Sequence, residues 1–218
     1  MARRTRKNKE LKEVVIVYIE GETEEAYINL LKNEFKNKIN IKIEPELPKE
    51  PQNLDKTLRE IKSKLEELKM SPVYWIIDFD HFNNDINEKN KFKKFWNKIK
   101  SVNDVKLLIN NPCVEFWFLL HFKYTNKNYT VCRECERDLK KEEIVLNNNK
   151  KEIKPFENYK KGNFDEKIKK FLIENLGLAI GNAKKLGKFN INNPQSCAEI
   201  YIFIEEKILN NSSEDKLL

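Results

Sequence analysis

The chain has 218 residues, 35% of them charged, and a net charge of +7 at pH 7. That length can bury a sizeable core and suits one core domain with an elaboration better than two separate domains. Apolar runs reach strand length only, and five of the first nine residues are Arg or Lys with no apolar run before Val14, so neither a membrane span nor a signal peptide is expected.

The reading is therefore of a cytoplasmic protein without membrane contact, whose positive balance suits an anionic partner such as nucleic acid. Glycine is scarce, at 5 residues, and neither a phosphate-binding P-loop nor a Gly-x-Gly-x-x-Gly turn occurs. Any nucleotide hydrolysis is expected from another chain. Cysteines stand at 113, 132, 135 and 197, and a reducing compartment predicts free thiols. Cys132-Arg-Glu-Cys135 has the spacing of half a zinc site, but no second pair completes it.

Residues 1–13 read as a solvated basic arm. Val14 to Ile19 is β-branched and unbroken by polar residues, as in a central parallel strand covered on both faces, and it ends at Glu20-Gly21. Glu22, Glu24 and Glu25 open an amphipathic helix bearing Tyr27, Leu30, Leu31 and Phe35; acids in a first turn complement the helix dipole and need no catalytic explanation. Ile39 to Ile43 predicts a second strand, followed by a loop with Pro45, Pro48 and Pro51. A helix with Leu54, Leu58, Ile61, Leu65 and Leu68 then leads to Met70-Ser71-Pro72.

Tyr74-Trp75-Ile76-Ile77-Asp78-Phe79-Asp80-His81 reads as a buried strand ending in two carboxylates. Alternation along a strand would send Asp78 and Asp80 from the same face, roughly 6 to 7 Å apart, within reach of one or two hard cations. Helical spacing resumes at Phe92, Phe95, Trp96 and Ile99, and Val105 to Ile109 predicts a fourth strand. The order β-α-β-α-β-α-β argues for a largely parallel sheet with right-handed crossovers. Asn110-Asn111-Pro112 is expected to cap a helix containing Glu115, Phe116, Trp117, Leu119, Leu120 and Phe122. Residues 123–218 read as a mainly helical elaboration. It has a modest helical signal from Cys135 to Ile144, an Asn run at 147–149, stripes at Phe164 to Leu172 and Leu178 to Leu186, and a last helix capped by Asn193-Pro194 and carrying Cys197, Tyr201, Ile204 and Ile208.

A strand ending in Glu20-Gly21 and a later strand ending in Asp78-Phe79-Asp80 resemble the Toprim domain of topoisomerases, primases and OLD-type nucleases. More narrowly, the run Glu20 to Tyr27, Asp78-Phe-Asp80, and Asn111-Pro-Cys-Val-Glu-Phe-Trp117 with Leu119-Leu-His-Phe122 resemble the RloB/AbiLii family of phage-defence proteins. Weaker matches follow at Tyr159-Lys160, Gly181-Asn182-Ala183 and Asn193-Pro194. The resemblance implies a Toprim-like, Rossmann-type core over 14–122 and a metal-dependent nuclease encoded beside an ATPase partner in defence loci. Its substrate would be DNA or RNA, transfer RNA included; a homo-oligomer is left open.

By the same resemblance, Asp78 and Asp80 would hold Mg²⁺ or Mn²⁺, and Glu20 would bridge to the metal or act as general acid/base. Glu115 is a further candidate ligand or an ordinary first-turn acid. His81 is a candidate acid/base or an exposed loop residue, whereas His121, Trp117 and Trp75 read as core. Lys160, Lys161, Lys184 and Lys185 are candidate phosphate contacts. The competing function class is a non-catalytic adaptor or sensor for the ATPase, its acidic cluster vestigial.

Overall fold

The computed structural model describes residues 14–44, 53–68, 73–83, 85–146 and 151–210. The basic arm, the Pro45 to Pro51 loop, Met70-Ser71-Pro72 and the Asn run lie outside them. The first half runs β1 (Val14–Tyr18), α1 (Glu22–Glu34), β2 (Asn40–Glu44), α2 (Leu54–Leu68), β3 (Val73–Asp78), the single turn α3 (Asp80–Asn83), α4 (Ile86–Ile99) and β4 (Val105–Asn111). The second half has α5 (Val114–Leu119), α6 (Cys132–Leu139), the hairpin β5 (Ile144–Leu146) and β6 (Lys151–Ile153), α7 (Glu166–Glu174), α8 (Leu176–Leu186), β7 (Cys197–Ala198) and α9 (Ile200–Phe203), continued by a π-helical stretch Ile204–Leu209.

The expected α/β architecture is the observed one. Five strands form a sheet in the order β2-β1-β3-β4-β7, with the first four parallel and β7 antiparallel. Unbroken apolar strands demand cover on both faces. On one face Val15, Val17, Tyr74, Ile76 and Leu108 meet α1, α5 and the C-terminal helices; on the other Ile16, Trp75, Ile77 and Ile109 meet Leu58 and Ile61 of α2 and Phe92, Phe95 and Ile99 of α4. Right-handed crossovers explain the split, since β1 to β2 runs one way along the sheet and β2 to β3 to β4 runs the other. The order reverses between β1 and β3, and that reversal opens a crevice at their carboxyl ends.

Three local expectations change. Residues 197 and 198 were expected inside the last helix, but they pair with Asn110 and Asn111 as β7, and the helix starts at Ile200. The cause is Glu199, buried at 4% exposure, whose carboxylate accepts the backbone N–H groups of Ile109 at 2.9 Å and Phe189 at 3.0 Å. Satisfying donors on β4 outcompetes continuing a helix through this point. Secondly, α5 is capped by Cys113 and ends at Leu119 rather than reaching Phe122. Finally, Cys113 and Cys132, expected as free thiols, form a disulfide joining the starts of α5 and α6, while Cys135 and Cys197 are free and buried. The pair lies 19 positions apart in sequence, and only the fold brings it together.

Candidate active site

The crevice between β1 and β3 holds a pocket of about 250 Å³ lined by Glu20, Gly21, Glu22, Thr23, Glu24, Asp78, His81, Glu115 and Lys161. Five carboxylates face one lysine there, so the pocket concentrates acids that repel one another when charged. Four of the acids arrive by separate routes, and Glu22 shares the first turn of α1 with Glu24. Glu20 follows β1, Glu24 projects inward from the first turn of α1, Asp78 ends β3, and Glu115 lies in the first turn of α5. The backbone passes close to Glu24 at Gly21, where a Cβ would lie 2.9 Å from Glu24 Oε2. Glycine leaves room for that carboxylate.

Crowding acids in a poorly solvated crevice favours their neutral forms. Burial, then the Glu24 charge, pushes Glu20 up to about 8, although the Asp78 N–H, 3.4 Å from Glu20 Oε2, pulls it down and Asp80 raises it. Burial and Glu115 raise Glu24 to about 7, opposed by its own backbone N–H, a hydrogen bond with Asp78 and the Lys161 charge. Asp78 is raised well above the usual carboxylate range by burial, then by Glu24, Glu115, Glu20 and Asp80. One of its oxygens, Oδ1, is buried with no partner.

Glu115, 1% exposed, is raised by burial and held down by Lys161 and Tyr159. Its support is a relay. The Gly162 N–H donates to Thr23 Oγ1 at 3.3 Å, the Thr23 hydroxyl lies 3.3 Å from Tyr159 Oη, and Tyr159 donates to Glu115 Oε1 at 3.0 Å. With the Tyr159 proton committed to Glu115, Thr23 is the donor in the middle step. Burial tends to lower Lys161, but Glu115, Asp78, Glu136 and Asp80 prevail and hold it above its ordinary value, so it stays charged at the pocket mouth.

The expected residues are thus placed as follows. Glu20, Asp78, Glu115, His81 and Lys161 line one pocket. Asp80 does not leave the strand face shared with Asp78, because β3 ends at Asp78 and the chain turns into α3. It stands beside the pocket, close enough to be felt by Glu20, Asp78 and Lys161. The His81 side chain is 79% exposed, with Nε2 3.9 Å from Asp80 Oδ1. Lys160 is exposed outside the lining; Lys184 pairs with Glu205 at 2.5 Å, and Lys185 lies over the Tyr124 ring. His121 is buried, its Nδ1–H donating to Trp117 O at 2.9 Å, and burial lowers it to about 4.

Two residues were overlooked. Glu24 was assigned to the helix dipole, yet it shares the inward stripe of Ile28 and Leu31, a spacing that could have revealed it. Asn110, in register with Asp78 on β4, is fully buried with neither amide atom partnered. No pattern marked it. The carboxylates of the pocket, Asp78 with its orphaned Oδ1 among them, would offer oxygen ligands to a hard divalent cation such as Mg²⁺ or Mn²⁺. Asp78, Glu20 and Glu24 would hold it.

No curated protein and no solved structure matches this chain. A family model described as RloB-like protein matches residues 15–206, a span that runs from within β1 through α9 and contains every acid of the pocket. The chain belongs to the RloB-like protein family.

Proposed function

We propose that this chain is a Mg²⁺- or Mn²⁺-dependent phosphodiesterase, a Toprim-like nuclease related to the OLD type, acting on DNA or RNA in anti-phage defence. The observation that carries the reading is the convergence of Glu20, Glu24, Asp78 and Glu115 on one crevice at the strand-order reversal, with a buried Asp78 oxygen lacking any partner. Four acids crowded there, Glu24 and Glu115 buried and Glu20 and Asp78 half-buried, are unfavourable unless protonated or bound to a cation. A bound divalent ion supplies charge neutralisation at a phosphodiester and lowers the pKa of water.

The chain's own groups divide the remaining work. Asp78 and Glu24, supported by Glu20, would hold the cation. Lys161, charged at the mouth, meets a phosphate oxygen. Burial and the Glu24 charge push Glu20 up to about 8 in the metal-free pocket, which suits it to general acid/base transfer. Tyr159 and Thr23 fix the Glu115 carboxylate, while Asp80 and His81 stand at the entrance. With no nucleotide-binding loop in its sequence, the protein is proposed to act under an ATPase encoded nearby.

The test is incubation of labelled DNA and total RNA with Mn²⁺, with and without that ATPase, for the parent and for Asp78→Asn. Cleavage by the parent alone of the two supports the reading. Equal products from both place the chemistry elsewhere, and nucleic-acid binding without cleavage or metal uptake identifies an adaptor.

A further inference from the structure

Behind the acidic pocket lies a second group of donors with different chemistry. Cys113 Sγ, Cys132 Sγ and a Glu115 carboxylate oxygen all lie within 4.8 Å of one another, and the three residues are 1%, 6% and 1% exposed. Glu115 Oε2 is 3.1 Å from Cys132 Sγ. A disulfide sulfur has no proton to donate, so Cys132 gives this oxygen no hydrogen bond, whereas the other oxygen accepts from Tyr159. A buried carboxylate facing two adjacent sulfurs is poorly satisfied in the oxidised state and well matched to a cation in the reduced one.

We propose that Cys113, Cys132 and Glu115 form a site for a thiophilic divalent cation of the Zn²⁺ class, with the disulfide and the ion as alternative occupants. A thiol reductant breaks the S–S bond by delivering two electrons; the sulfurs gain two protons and the reductant leaves as its own disulfide. The incoming ion then displaces the two thiol protons, leaving two thiolates and one carboxylate as ligands. Two sulfurs and one oxygen select Zn²⁺ over Mg²⁺, and three protein ligands leave a fourth position. That position can be reached by water because Glu115 also lines the solvent-accessible acidic pocket. The sequence suggested Cys132 with Cys135, one helical turn apart; the fold supplies Cys113 instead.

Co²⁺ is the spectroscopic probe, since thiolate ligation gives an intense charge-transfer band that oxygen ligands do not. Reduced full-length protein should take up one equivalent with that band, and the oxidised protein should show none. Zn²⁺ should protect two of the four thiols of the reduced protein from a disulfide reagent. Cys113→Ser and Cys132→Ser should lose the band, and Cys135→Ser and Cys197→Ser should keep it. Glu115→Gln, which retains all four thiols, should weaken Co²⁺ binding by about tenfold or more and covers the case in which the serine variants do not fold. Absence of the band in the reduced parent, its survival in the Cys113/Cys132 double variant, or its loss in Cys135→Ser would overturn the assignment. These readouts do not depend on nuclease activity.

Discussion

Replacing Glu24 by Gln offers a quantitative test of the acidic cluster, because it removes both a titrating group and the charge that most raises Glu20 and Asp78 after burial. Glu24 titrates near 7 in the fold against 4.5 ordinarily, so between those values the native state binds more protons than the unfolded chain. Stability therefore falls as pH rises through that window. The 2.5 pH units correspond to about 3 kcal/mol lost by pH 8, at 1.36 kcal/mol per unit. Glu20, raised to about 8, adds about 2 kcal/mol of decline between pH 6.5 and 8. His121 works the other way. Its lowered value, about 4, makes stability rise from about pH 4 to 6.5 and adds nothing above.

The metal-free parent should accordingly lose stability from pH 6.5 to 8. Glu24→Gln should match it near pH 4.5 and exceed it by up to about 3 kcal/mol at pH 8. Urea unfolding in a chelator at pH 5, 6.5 and 8 measures this. Curves that run parallel in parent and variant, or a parent that gains stability above pH 6.5, would refute the argument that these acids share one desolvated crevice.

Other expectations are simpler to check. Adding Mn²⁺ should raise the melting temperature of the parent and leave Asp78→Asn unmoved, because the unfolded chain does not gather the ligands. Tyr159→Phe removes the donor that favours the charged form of Glu115 and should move the Glu115 carboxyl further up, read by NMR titration of the carboxyl groups. Glu199→Ala leaves the Ile109 and Phe189 N–H groups without acceptors and should cost about 2–4 kcal/mol in urea unfolding. Gly162→Ala should cost about 1–2 kcal/mol, since φ is +70° and the new Cβ would lie 2.9 Å from Glu22 Cβ.

The parallel core was legible because its strands are continuous apolar runs separated by helices of regular spacing. Glu20 and Asp78 were legible for the same reason, as the first polar residues at strand ends that the topology places side by side. Asp80 was misplaced because alternation holds only while the strand lasts, and this strand stops at Asp78. Glu24 was hidden by a true generalisation, that first-turn acids favour the helix dipole, which says nothing about which way each one faces. β7 is two residues long and takes its identity from Glu199 and the edge of β4, neither of which leaves a periodic trace. The Cys113–Cys132 pairing depends on how α5 and α6 meet, and a count of cysteines cannot supply it.

The pairing of β7 with β4 also sets an order of events during synthesis. Residues Asn110 and Asn111 wait for Cys197 and Ala198, so the first four strands emerge from the ribosome well before the segment that covers the β4 edge. Closing so long a loop is slow relative to forming the local β-α-β units. Through that interval the backbone of Asn110 and Asn111 and the apolar Ile109 beside them present an unsealed strand edge, the kind of surface on which nascent chains pair with one another. A chain ending before Cys197 would keep that edge permanently, so truncation near the C-terminus should produce aggregation long before it removes any acid of the pocket.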